Sequence, residues 1–185
     1  PALERVRLTS SDGVPRAPLI LPLKTELLPQ AAEHLEAFST IVVTGFDGST
    51  LTPSQRQALA DWVKQGGQLI LGGGAGIQQS LAILAPEMQE ISVSGTYTCE
   101  DWQEAARWLE LGSVAGQAAT VAELQSSRAT PLGDALSLGL EAKPGAGLLR
   151  VLAFDPLLEP WRSGNLGPAL WLKLLQTPAE AEIQM

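Results

Sequence analysis

The apolar run QLILG ends in Gly72-Gly73-Gly74-Ala75-Gly76, the most suggestive chemical feature of the chain. Backbone N–H groups at a strand-to-helix turn can cradle an anion, and the helix N-terminus adds partial positive charge. Gly73, Gly74 and Ala75 are therefore candidate ligand contacts. The run lacks the G-x-G-x-x-G spacing and the lysine of a P-loop, which argues against a nucleotide. The plainer reading is a turn whose glycines permit strained backbone geometry. Asp47 and Asp155 each follow a predicted parallel strand, so both could face one sheet edge, bind a hard cation or share a proton. Asp-Gly and Asp-Pro are also ordinary turn chemistry, in which the carboxylate bonds nearby backbone.

Other reactive types are scarce. Cys99 stands at a predicted helix start, where the dipole lowers a thiol pKa, but Glu100 and Asp101 oppose this. A lone free cysteine is most often a small buried hydrophobe. His34 lies between Glu33 and Glu36 and reads as solvated. With one Cys and one His in the chain, a disulfide framework and a Cys/His zinc site are both excluded, and no cofactor is expected. Trp62, Trp102, Trp108 and Trp171 fall on helical apolar stripes and read as core. Trp161 differs, because it sits in the loop PLLEPWRSGN beside Leu157, Leu158 and Arg162. Trp161 with Arg162 is either an exposed docking hot spot or a residue folded back over the sheet edge.

The elements that would position these residues are legible in places. TIVVTGF, closed by Asp47-Gly48, reads as a buried strand. Thr52-Pro53-Ser54-Gln55 is a helix start with a cap, a proline at the first helical position and a capping-box partner. Ala58, Leu59, Trp62 and Val63 form one stripe, and Gly66-Gly67 ends the helix. QLILG is the second buried strand, which makes a βαβ unit and so a parallel sheet covered by helices. Before it, Pro29 opens a short helical pattern with Ala32, Leu35 and Phe38. After it, residues 89–94 read as a strand, and Thr98 with Asp101 as a cap for a helix carrying Trp102. Weaker strands are expected over 118–124 and 136–141. GLLRVLAF (147–154) is a buried strand, and Pro168–Leu175 an amphipathic helix. The fold class is α/β, three-layered, with a mostly parallel, doubly wound sheet.

Composition bounds the function. The 185 residues, 45% of them hydrophobic, suit one domain, or two at most. Twelve Lys and Arg against twenty Asp and Glu give a net charge of −8, which argues against nucleic acid or an anionic membrane surface as partner. No apolar run is long enough to span a bilayer. Residues 1–18 read as a leading segment, 19–176 as the domain and 177–185 as a tail. The chain opens at Pro1 without a charged-then-apolar leader and is read as a piece of something longer.

The strand IVVTGFDGS, the helix LTPSQRQALADWVKQGG, the strand QLILGGGAG and the late segment GLLRVLAFDPLLEPW with LGPALWLKLL together resemble the class I glutamine amidotransferase-like domains of flavodoxin-like type. The branch they resemble is found in bacterial membrane-anchored proteins. That family's active members carry a Cys nucleophile in a G-x-C-x-G elbow. Here Gly74 takes the Cys position, and the only His, His34, precedes the elbow although the family's His follows it. The Cys-His pair, which acts as a unit, is therefore absent. The resemblance implies a non-catalytic module, extracytoplasmic and tethered through another part of its protein, with a protein or neighbouring domain as partner. The alternative is a small-molecule or carbohydrate-binding domain, or a weak hydrolase, using Asp47, Asp155 and the glycine turn.

Overall fold

A computed structural model describes residues 2–9, 15–88, 90–112, 117–134, 138–163 and 165–175. The expected tail, 177–185, and part of the expected strand 136–141 lie outside these. A 3-10 turn at Ala2–Arg5 precedes β1 (Leu8–Thr9) and β2 (Pro15–Arg16), a small antiparallel pair. Ala2 and Val6 are buried in the core, so the leading segment contributes to the domain. The helix expected from Pro29 is only a 3-10 turn at Ala32–Leu35, which buries Ala32 and Leu35.

The βαβ unit forms as its sequence dictates: β3 (Thr40–Thr44), α1 (Pro53–Lys64) and β4 (Gln68–Gly72). Thr52 Oγ1 accepts from the Gln55 amide at 3.2 Å, and Gln55 Oε1 accepts from the Thr52 amide at 3.0 Å. This closes the capping box and satisfies two otherwise orphaned donors. The Gln55 side chain also donates to the Leu28 carbonyl at 2.9 Å, which ties the start of α1 to the preceding loop. Gly66, at φ 122°, terminates α1 in a conformation that side chains disfavour.

The remaining elements are α2 (Ile77–Leu81), β5 (Ile91–Cys99), α3 (Gln103–Trp108), β6 (Ala119–Ser126), β7 (Thr130–Pro131), β8 (Gly139–Ala142), β9 (Leu148–Leu152) and α4 (Leu166–Leu175). The strand expected over 89–94 runs on to Cys99 and absorbs Thr98. Asp101 provides the turn into α3 instead, its carboxylate accepting from the Gln103 amide at 2.9 Å. Trp102 precedes that helix and is buried.

The domain is α/β. Its main sheet has the order β3-β4-β9-β8-β7. β3, β4 and β9 are parallel, whereas β9-β8 and β8-β7 are antiparallel. The sheet is therefore mixed, with β8 alone running against the other four strands. The reason is the short loop between Ala142 and Leu148, since parallel neighbours need a crossover of a dozen or more residues. β5 and β6 pair antiparallel in a separate ribbon. Leu69, Ile70 and Leu71 of β4 and Leu149, Val151 and Leu152 of β9 form the buried centre. Gln68 and Arg150 both donate to the Leu174 carbonyl, which holds the end of α4 against the face they share. β3, expected to be buried, is an edge strand, and Val42 is 37% exposed.

Candidate functional site

The carboxyl ends of β3, β4 and β9 converge where an open α/β sheet offers its usual ligand crevice. In this chain the crevice is occupied by the protein's own backbone. The Gly73 amide donates to the Phe154 carbonyl at 3.2 Å, and the Gly76 amide returns to the Gly73 carbonyl at 2.8 Å. Gly74 adopts φ 49°, and a Cβ there would lie 2.9 Å from the Thr120 carbonyl oxygen of β6. β6 reaches the end of β9 directly, through the Ala122 amide on the Ala153 carbonyl at 2.7 Å. A Cβ on Gly72 would meet Pro156 Cδ at 2.7 Å. Close approach of three strand ends thus explains the glycines at 72 and 74. The helix that follows the run, α2, is only five residues long.

Each candidate carboxylate is engaged by its own turn. Asp47 accepts from the Ser49 amide at 3.0 Å, and Asp155 accepts from the Leu157 amide at 2.9 Å. The bonds from Ser49 hold the Asp47 carboxyl below the usual range, despite a small opposing desolvation. Among the described residues, no cluster of three or more His, Cys, Asp or Glu could hold a metal ion. Burial pushes the Cys99 thiol up, and the Asp101 and Glu104 carboxylates push it further, against a backbone hydrogen bond at Asp101. This is the opposite of an activated nucleophile. His34 is exposed on the turn at Ala32–Leu35. Ser80, which sequence patterning did not single out, is fully buried and donates to the Gly72 carbonyl at 3.1 Å. It joins α2 to the end of β4.

Trp161 is fully buried, which removes the exposed hot-spot reading. Its ring stacks on Phe154 at a centroid distance of 4.0 Å and 13°, and meets Trp102 edge-on at 5.1 Å. Aromatic burial of this kind outweighs a loop's preference for solvent. Its Nε1 has no hydrogen-bond partner among the described residues, whereas Trp102 Nε1 donates to the Gln117 carbonyl at 2.9 Å. Arg162 stays exposed, with Leu157 and Leu158 beside it in the loop at 50% and 60% exposure.

The larger exposed apolar surface lies elsewhere. Among the described residues, five of the nine exposed large hydrophobics fall between Leu19 and Leu27, from 42% exposed at Leu23 to 86% at Leu19. Next to them, a recess of about 240 Å³ follows the free edge of β3, lined by Leu23, Leu28, Ile41, Val43, Phe46 and Ile83 among others. The sequence signal was available in LILPL, an apolar run broken by a proline.

No family model and no curated protein matches the chain. Among solved structures, it is similar to a cytoplasmic protein of Salmonella typhimurium at 14% identity and a TM-score of 0.54, covering 81% of this chain and 76% of that one. It also matches an exo-beta-1,4-mannosidase from an Opitutaceae bacterium at 16% identity and a TM-score of 0.48, covering 78% of this chain. The match spans about a quarter (26%) of the mannosidase's length. A second Salmonella typhimurium cytoplasmic protein matches at 19% identity and a TM-score of 0.46, covering 77% of this chain and 70% of that one. At these identities the Salmonella protein with the higher score speaks to fold alone.

Proposed function

We propose that this chain is a non-catalytic, amidotransferase-like interaction module that docks another polypeptide on the free edge of β3 and the neighbouring segment Leu19–Leu27. The observation that carries this is a recess lined by Leu23 and Val42 along β3, an edge strand that among the described residues pairs with β4 alone, with further exposed apolar side chains in the segment Leu19–Leu27. Such a surface suits strand addition, in which main-chain hydrogen bonds give affinity and side-chain pockets give specificity. The non-catalytic reading is supported by Gly74 at the nucleophile position, where a Cβ would lie 2.9 Å from the Thr120 carbonyl oxygen. The flavodoxin-like, doubly wound reading is supported by the parallel β3-β4-β9 core and the α1 crossover.

The extracytoplasmic, membrane-tethered setting follows from the family resemblance. No helix among the described residues is long and apolar enough to cross a bilayer. The test compares wild type with Leu19→Glu/Leu21→Glu as immobilised baits in extracts of the source cell. Expected is a defined partner band that the double variant loses while its melting temperature is unchanged. Equal capture by both baits would overturn the reading, as would a wild type that binds nothing, a second copy of the chain included.

A further inference from the structure

We propose that the polypeptide docked on this edge is a second copy of the chain, its β3 lying antiparallel to the first across a two-fold axis at Val42. The inference rests on the docking reading above and names its partner. β3 is Thr40-Ile41-Val42-Val43-Thr44, and among the described residues it pairs with β4 alone. Natural edge strands are usually guarded by a charge, a proline or a bulge, and this one has none. Its side-chain order is nearly palindromic. Two-fold pairing sets Val42 against its symmetry mate, Ile41 against Val43, and Thr40 against Thr44. All three are favourable cross-strand pairs, β-branched on β-branched and threonine on threonine.

Charge points the same way. The protein carries −8, so two copies repel over most of their surface. Phe38 to Phe46 holds no charged residue, and Lys24 with Glu26 sums to zero in the adjoining segment. This neutral face is where two acidic copies approach at least cost. The recess and two of the exposed apolar side chains, Leu23 and Val42, lie together on this face, as an isologous contact requires. Leu23 and Val42 at the recess are 42% and 37% exposed, and Leu19, Ile20, Leu21 and Leu27 of the same segment are 45–86% exposed. A standard interface buries roughly 800 Å² per partner, to which these side chains and the backbone of the paired strands would contribute.

The test is sedimentation equilibrium over about 1–500 μM, a range that brackets micromolar association. Wild type is expected to dimerise with concentration, and its Thr40–Thr44 amides to exchange more slowly in the dimer. Val42→Lys, and separately Leu19→Glu/Leu21→Glu, should each raise the dissociation constant at least about tenfold. The two variants change separate surface positions, and a melting curve for each confirms the fold. Mixing Val42→Lys with Val42→Glu should restore a mixed dimer, because the charges then face each other at the axis. A mixture that stays monomeric, or a dimer that neither variant weakens, overturns the inference. A monomeric wild type that still captures a different protein through this face overturns it too, yet leaves the docking reading standing. A wild type that neither self-associates nor captures anything overturns both.

Discussion

Replacing Trp161 with alanine separates a core residue from a docking residue. Trp161 is fully buried, stacked on Phe154 and edge-on to Trp102, so its removal leaves a large cavity between two other aromatic rings. Truncating a buried aromatic to alanine costs about 3–5 kcal/mol. In a domain of this size each kcal/mol moves the melting temperature by about 2–4 °C, so Trp161→Ala should melt roughly 6–20 °C below wild type. Trp161→Phe is the informative companion. It keeps a ring against Phe154 and removes an indole N–H that has no partner among the described residues, so it should cost far less than alanine. Differential scanning calorimetry of the three proteins gives the comparison. An alanine variant melting within about 2 °C of wild type would refute the packing argument, since a cavity of that size cannot be free.

Three further outcomes follow from local geometry. Gly74→Ala forces a side chain into φ 49° and toward the Thr120 carbonyl, so it should destabilise by about 1–2 kcal/mol from conformation alone, read from urea midpoints. Thr52→Ala removes the cap of α1 and should cost about 1 kcal/mol by the same measurement. Glu87 has its carboxyl lowered from the ordinary 4.5, first by its own backbone amide and then by Lys64 and Gln57. A depressed carboxyl contributes stability above its unfolded pKa and loses it as pH falls through the folded value. Wild type should therefore exceed Glu87→Gln in urea midpoint at neutral pH, and the two should converge under acid. A gap that persisted at acid pH would contradict this assignment.

Signals that act within a few residues were readable from the chain itself. Thr52, Pro53 and Gln55 specify the start of α1 because a capping box closes over one turn. Gly66 specifies its end through a backbone conformation that other residues resist. The apolar runs of β4 and β9 announce burial on both faces. The turn roles of Asp47 and Asp155 are equally local, with each carboxylate bonding an amide two residues on.

What tertiary structure alone decided are relations between distant segments. The β3 run looks as apolar as β4, yet edge or centre is set by which strands find its two sides, and nothing in TIVVT encodes that. Trp161 sits in a loop sequence that suits solvent, and only the convergence of Phe154 and Trp102 buries it. The crevice at the strand ends is filled by β6, whose Ala122 amide bonds the Ala153 carbonyl across a long stretch of chain. Backbone hydrogen bonds of this kind carry no side-chain signature. A sequence therefore displays its glycine turn plainly while giving no sign of the strand laid across it.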